Sequence, residues 1–432
     1  MKSSALRSFV LYGVSGAAAS LMPLVITPFL ASQLNVVDLA NYILATTSIA
    51  LVTPFLGLGA ANIAPVRFVT LDADVFSQLI SGVILVILGS AFLLLCISWT
   101  GGVFLQKMWG FDIETIAVII GCALLLSLAL LFSSILVSAG NDRGYALAFV
   151  SFGIVTIFAT VILVAQFRLG LLGAFTGLFI GYFVLAALSL KSVAVSISLT
   201  RRSVSFIPEA LRFGLPLMLH SFSLVVIGYA DRMAMVTWAD KSAVAAYGVT
   251  AQFAVVIGLL CHSVTKVLQP RLYRLLAAGN EQSDSEAVDL VFVYSAFVCV
   301  ASAAYAVVFS WALEIIAPSG LVLGPEVYVF NMIGALFYSL YLVFTHFIFF
   351  KSKTSSLGMV TVAAAIVHFF LLWALTPRFQ AVGAAVSYAI SALTMCLFAF
   401  IVAKGCVRVP WWSVDRLKSV WRRMRQVFVY LG

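Results

Sequence analysis

The sequence predicts an all-α polytopic membrane protein with twelve transmembrane helices in two parallel six-helix lobes around a central cavity. Three observations predict it. Of the 432 residues, 63% are hydrophobic and only 9% charged, at a mean hydropathy of +1.14; so few polar residues cannot cover that much apolar surface in water. Apolar runs of about 20 residues, enough to cross a hydrocarbon core roughly 30 Å thick, recur along the chain, and only helices satisfy their own backbone there. Matching residues also recur at a near-constant offset between the two halves.

The twelve runs centre on 9–32, 40–62, 77–100, 113–138, 145–166, 170–190, 211–238, 243–268, 289–312, 326–350, 357–376 and 382–402. The basic start MKSSALRSF leads into a stretch that continues past Ala17-Ala18-Ala19, too long for a cleaved signal, so a retained first span is expected. Pro23 and Pro28 in the first span, Pro54 in the second and Pro216 in the seventh each remove a backbone hydrogen bond. They serve either as bends for rocking lobes or as static kinks. Of the six cysteines, Cys96, Cys122, Cys261, Cys299 and Cys396 fall in spans and Cys406 just beyond; neither a disulfide framework nor metal-ligand spacing is visible.

With the N-terminus in the cytoplasm, the lysines and arginines lie inside except Lys107, Arg168, Lys241 and Arg378, outside, and Arg232, within a span. This positive-inside asymmetry accounts for the net charge of +9 without a nucleic-acid partner and places both termini in the cytoplasm. After Pro410-Trp411-Trp412, Val414, Leu417, Trp421, Met424, Phe428 and Leu431 recur at helical spacing among Arg416, Lys418, Arg422, Arg423 and Arg425. That pattern predicts a basic amphipathic helix on the anionic inner leaflet.

An offset of 205 pairs Ala40 with Ala245, Tyr42 with Tyr247 and Pro65 with Pro270; an offset of 210 pairs Arg143 with Lys353, Arg168 with Arg378, Gly173 with Gly383, Ala174 with Ala384 and Ile180 with Ile390. Six spans per unit is even, so the repeats are parallel, related by an axis along the membrane normal, with a cavity at their interface. The expected organisation is an N-lobe over 1–190, a cytoplasmic linker over 191–210, a C-lobe over 211–402 and a basic tail over 403–432. The outer loops are short and carry no nucleophile elbow, metal spacing or aspartate pair, which favours a transporter over an integral enzyme of glycan assembly.

The stretch YADRMAMVTWADKSAVAAYGVTAQF resembles the seventh-to-eighth-span region of the Wzx-type polysaccharide flippases in the multidrug/oligosaccharidyl-lipid/polysaccharide (MOP) superfamily. KVLQPRLYRLLAAGN is similar to that family's end of the eighth span, RFQAVGAAVSYAIS to the start of its twelfth, and LGLGAANIAPVRF to the end of its second. The resemblance covers nearly the whole chain. It implies a MATE/MurJ-like fold, a bacterial inner membrane, and alternating access for a polyprenyl-diphosphate-linked oligosaccharide, with a polysaccharide polymerase and glycosyltransferases as companions. No cofactor is implied, and coupling to a proton or sodium gradient stays open. A diphosphate and sugars cannot cross hydrocarbon unaided, so such a cavity needs fixed positive charge, for which arginine is suited.

Arg232 is the first candidate: either it contacts the diphosphate or sugars while Asp231 orients it, or the two form interhelix locks. Neighbouring helical side chains project about 100° apart, so Asp231 and Arg232 are expected to find separate partners. Arg67 and Arg271, with Lys266 one turn earlier, would form an inner-mouth basic patch or be ordinary anchors. His220 shares a helix face with Asp231, and His262 with Lys266; both histidines are candidates for proton-coupled or structural roles. Gln252 is a candidate sugar contact, and Tyr338 and Tyr341 could stack on sugars. A MATE-like cation or drug exporter is the competing reading; it wants a buried carboxylate, yet Asp38, Asp72, Asp74, Asp112, Glu114 and Asp142 all lie in loops or at span ends.

Overall fold

The computed structural model describes residues 11, 15, 22–68, 71–109, 111–193, 197, 200–316, 323–351 and 353–411. Most of the first half of the first predicted span and the amphipathic helix predicted in the tail lie outside the described residues. Among the described residues all regular structure is helical: α1 Met22–Gln33, α2 Val36–Val52, α3 Ala64–Phe68, α4 Ala73–Trp109, α5 Ile113–Ser138, α6 Asp142–Val161 and α7 Gly170–Ser192. A short α8, Arg201–Ser205, leads to α9 Ile207–Trp238, α10 Lys241–Ala278, α11 Glu281–Ile316, α12 Pro325–Phe350 and α13 Thr354–Lys404.

Ten of these helices are long and apolar enough to cross a membrane. The difference from twelve lies at two places. For α1 the described part begins at Met22. The 51 residues of α13 would extend about 76 Å if straight, yet His368 Nδ1 and Ser391 Oγ stand 3.1 Å apart. The chain therefore folds back at Gln380, whose φ of 46° and ψ of −122° interrupt the helix, and the predicted eleventh and twelfth spans are the two arms of this hairpin.

The repeat is legible in detail. Asn35 caps α2 by accepting from the Asp38 N–H at 2.9 Å, and Asp240 caps α10 by accepting from the Ala243 N–H at 2.7 Å; these two caps are again 205 residues apart. The Ser242 hydroxyl and the Ala243 N–H hold the Asp240 carboxyl below its ordinary value, as expected for an anion at a helix N-terminus. At the other offset, a Cβ on Gly173 would meet the Leu163 backbone at 3.1 Å and one on Gly383 the Leu375 carbonyl oxygen at 2.5 Å. Both glycines close the last hairpin of their half.

The second predicted span, 40–62, is shorter than expected. Pro54 does not merely bend it: α2 stops at Val52, and a 3-10 turn over Thr53–Phe55 follows, because proline has no N–H to continue the ladder. Gly57, Leu58 and Gly59 then take positive φ, and the chain resumes through a second 3-10 turn, Ala60–Ile63, into α3. In the predicted linker, Thr200 caps α8, and α9 begins at Ile207 with Pro208 in its first turn.

Helices α1 to α7 touch α9 to α13 at both ends of the bundle. At the end carrying Arg67, Arg212 and Arg271, the basic end, the backbones of Gly59 and Gly214 meet so closely that a Cβ on Gly59 would lie 2.3 Å from the Gly214 oxygen. Ala210 of α9 is fully buried in a core with Ala60, Ile63 and Leu79. At the opposite end Ile43 of α2 fits over Gly248 of α10, where a Cβ would sit 2.7 Å from it, and Lys241 Nζ donates to Asn41 Oδ1 at 3.1 Å.

Candidate functional site

Between those two contacts the second half of α9 carries the ion pair that the sequence singles out. Asp231 and Arg232 are 2% and 4% exposed, deep enough that an unpaired charge would cost several kcal/mol (about 3–5). They are not separate, contrary to the expectation from side-chain direction: Arg232 Nη1 donates to Asp231 Oδ1 at 2.9 Å. The 100° rule describes Cβ vectors, whereas an arginine is long enough to fold back. Arg232 lies back over Gly228, which has no side chain to obstruct it, and Nη1 also donates to the Gly228 carbonyl at 2.8 Å. The carboxylate is completed by the Arg232 backbone N–H at 2.8 Å and by the Tyr247 hydroxyl of α10, which donates to Oδ2 at 2.5 Å.

The guanidinium carbon stands 5.2 Å from the Tyr229 ring centroid and 5.9 Å from that of Tyr247, within the range of cation–π attraction. Arginine has five N–H donors, and both side-chain bonds to protein use Nη1. The other donors are not spent on described residues, and Arg232 lines two adjoining cavities. One, of about 260 Å³, lies among α9, α10, α12 and α13 and is lined by Asp231, Asn331, Tyr338, Tyr388 and His262 as well. The other, of about 230 Å³, lies between the two halves, where Thr27, Tyr42, Thr46 and Tyr182 face Arg232 and Gln252. Tyr229 borders both.

Small residues shape the first cavity. The Tyr388 ring occupies the place a side chain at Gly334 would need, with a Cβ there only 2.3 Å from the ring. Asn331, 2% exposed, is anchored by an Nδ2 bond to the Val327 carbonyl at 2.9 Å. The 205-residue offset places Ile26 and Thr27 opposite Asp231 and Arg232. Ile26 is buried at 1% and Thr27 lines the inter-half cavity, so the charge pair belongs to one repeat only.

The structure brings Asp231, Arg232 and His262 to one cavity and Gln252 to the next. It does not bring His220 to Asp231: His220 pairs with Thr361 Oγ1 at 3.0 Å and lines a third cavity with His262, since residues eleven apart share a face but stand three turns apart along it. Lys266 lies on α10, and its side chain is outside the described ones. Arg271 is exposed.

Arg67 forms an ion pair with Glu209, so it joins α3 to the first turn of α9 rather than standing as an unneutralised patch; the sequence reading weighed no acid at that mouth. Both side chains are about two-fifths exposed, at 39% and 40%, and solvent screening keeps such a pair to about 0–1 kcal/mol. Glu209→Gln is therefore expected to change stability by under about 1 kcal/mol in thermal melting. Any transport lost in Arg67→Glu should return when Glu209→Arg is added.

Sequence reasoning left Tyr229, Tyr247, Asn331, Tyr388 and Glu209 unassigned to the site. A lone asparagine inside an apolar span was the available signal for Asn331, and the Tyr42–Tyr247 match was one for Tyr247.

Over 99% of its own length and 92% of the other's, the chain is similar to the lipid II flippase MurJ in an inward closed conformation, at 14% identity and a TM-score of 0.73. It is also similar to an inward-facing multidrug resistance MATE family transporter of the MOP superfamily, at 14% identity and TM-score 0.65 over 90% of this chain and 95% of that one. This is the MATE/MurJ transporter fold. A mutant of the Vibrio cholerae MATE transporter VcmN gives 16% identity and TM-score 0.64 over 94% and 97%. No family model matches the chain, and no curated protein matches it. The all-helical fold class expected from the sequence is thus the one observed, and it places Arg232 beside the space between the two halves.

Proposed function

We propose that this chain is a flippase that carries a polyprenyl-diphosphate-linked oligosaccharide from the inner to the outer leaflet of a bacterial cytoplasmic membrane, for surface polysaccharide synthesis. One observation carries the reading: a buried guanidinium with donors to spare lines both the inter-half cavity and its neighbour. Guanidinium N–H groups match phosphate oxygens in geometry and charge, and tyrosine, threonine and glutamine around them suit sugars. The similarity to a structure described as a lipid II flippase is consistent with a lipid-linked cargo.

In this reading residues 1–190 and 211–402 act as lobes joined by 191–210, with 403–432 as a cytoplasmic basic tail beside the biosynthetic enzymes, and the basic end faces the cytoplasm. A cavity near 230 Å³ is below the roughly 300–1,000 Å³ of pockets that enclose drug-sized ligands, so in this reading the halves part for the sugars while the lipid tail stays in the bilayer. A cation exporter needs a carboxylate free to take the cargo; among the described residues the carboxylate that lines these cavities is Asp231, already neutralised by Arg232.

Deleting the gene in its host and profiling both lipid-linked oligosaccharides and surface glycan tests this. A lipid-linked intermediate that accumulates as surface glycan disappears is the expected result. Unchanged glycans with altered sensitivity to cationic compounds would replace the flippase by the exporter.

A further inference from the structure

A third cavity, of about 260 Å³, lies among α9, α10 and α12, nearer the basic end, and three of the chain's four histidines converge on it: His220, His262 and His346. Thr265, Gln269, Tyr338, Tyr341 and Thr345 complete its polar lining, and it shares Leu224, His262 and Tyr338 with the first cavity that Arg232 lines. No carboxylate lines it among the described residues.

The hydrogen bonding of two of these imidazoles, His220 and His346, is incomplete in a specific way. The Thr361 hydroxyl donates its single proton to the Leu357 and Gly358 carbonyls, at 3.2 and 3.0 Å. It must therefore accept from His220 Nδ1, which leaves His220 Nε2 as the proton-accepting nitrogen of the neutral ring. Both nitrogens of His346 are buried and have no hydrogen-bond partner among the described residues, although buried polar groups are ordinarily bonded. The Tyr273 ring stands edge-on to His346 at 6.0 Å, and His262 lines the same cavity as His346.

Among the described residues, charges on the neighbouring elements do not supply the missing partner. Asp231 and Arg232 of α9 neutralise one another in the adjoining cavity, and Arg271 of α10 is exposed. His368 of α13 is bonded to Ser391 and lines neither cavity. Two protonated imidazoles close together repel. An anion between them removes that repulsion and gains donors on both sides, so anion and protons bind together.

We propose that the histidine cavity is a proton-linked subsite for a phosphate-type anion, one step along the cavity chain from Arg232. Its natural ligand rests on the flippase reading: the diphosphate of the cargo would pass from imidazolium to guanidinium.

Sulfate, whose charge is constant over the range, is the probe, with the purified full chain in nanodiscs and binding followed by calorimetry between pH 7.5 and pH 5.5. Sulfate binding is expected to tighten at least tenfold over that interval with net proton uptake, measured in two buffers of different ionisation enthalpy. The double variant His262→Gln with His346→Gln is expected to flatten the pH dependence. Absent sulfate binding, pH-independent binding, or binding without proton uptake by the unmodified chain would overturn the proposal whatever the variants do. Adding a polyprenyl diphosphate to the nanodisc separates the two readings. Competition with sulfate supports both, whereas proton-linked sulfate binding without competition keeps the subsite and counts against the lipid-linked cargo.

Discussion

Arg232→Ala is expected to lower the stability of the chain by about 3–5 kcal/mol, because it leaves the Asp231 carboxylate buried without its counter-ion. That carboxylate is 3% exposed at the side chain and would keep only the Tyr247 hydroxyl and one backbone N–H. A stability loss alone would not separate a site from a lock. The repeat supplies the control. Asp231→Ile with Arg232→Thr installs the residues that stand at the equivalent positions, Ile26 and Thr27, removing both charges together. Removing both charges together avoids the cost of an unpaired buried charge and leaves the Tyr247 hydroxyl without its acceptor, a loss of about 1–3 kcal/mol, so the double variant should melt above Arg232→Ala. If Arg232 is the anion contact, this folded variant should still fail to restore surface glycan in a deletion strain. Full restoration by a stably inserted double variant would mark the pair as a lock.

Gly214→Ala is expected to loosen the contact between the halves at the basic end and to destabilise the chain. In the interior of α9 alanine is favoured over glycine by about 1 kcal/mol in intrinsic helix propensity, so helix preference alone predicts a gain. The new Cβ would instead lie 2.5 Å from Ala60 N and from the Gly59 carbonyl carbon, and backbone cannot swing aside as a side-chain tip can. Overpacking of this kind costs about 1–3 kcal/mol, relieved only by moving α9 away from the 57–63 turn. The observable is the spacing between spin labels on α3 and the first turn of α9, which should lengthen, together with a lowered melting temperature. Unchanged spacing and stability would mean that the Gly59–Gly214 contact does not hold the halves together. The same change at Gly59 adds backbone strain, since its φ is +73°, which makes Gly214 the cleaner variant.

Much of the fold is legible without coordinates because lipid is a severe solvent. A backbone in hydrocarbon must be helical, so run lengths in the sequence translate directly into spans, and the offset of 205 recurs in the Asn35 and Asp240 caps. Even the break in α13 falls where two predicted spans meet. The failures are equally physical. Pro54 reads as a kink but ends α2, because the glycines after it permit a turn that a proline alone does not specify. Asp231 and Arg232 are conspicuous as charges in an apolar run, yet the rule about neighbouring side chains omits the reach of arginine and the opening over Gly228.

The sequence by itself determined the helical membrane fold, the two-fold repeat, and the buried cation at Arg232 as the residue to explain. Only the tertiary structure decided which polar atoms meet. Tyr247 completes Asp231 from the next helix, Glu209 reaches Arg67 across 142 positions, and His346 joins His220 and His262 around one cavity. Those meetings depend on how far each helix is rotated and how deep it sits against its neighbours. Small residues set both, as Gly334 admits the Tyr388 ring and Gly248 admits Ile43, and a linear pattern of hydropathy records that a helix crosses the membrane but not its rotation against the helix beside it.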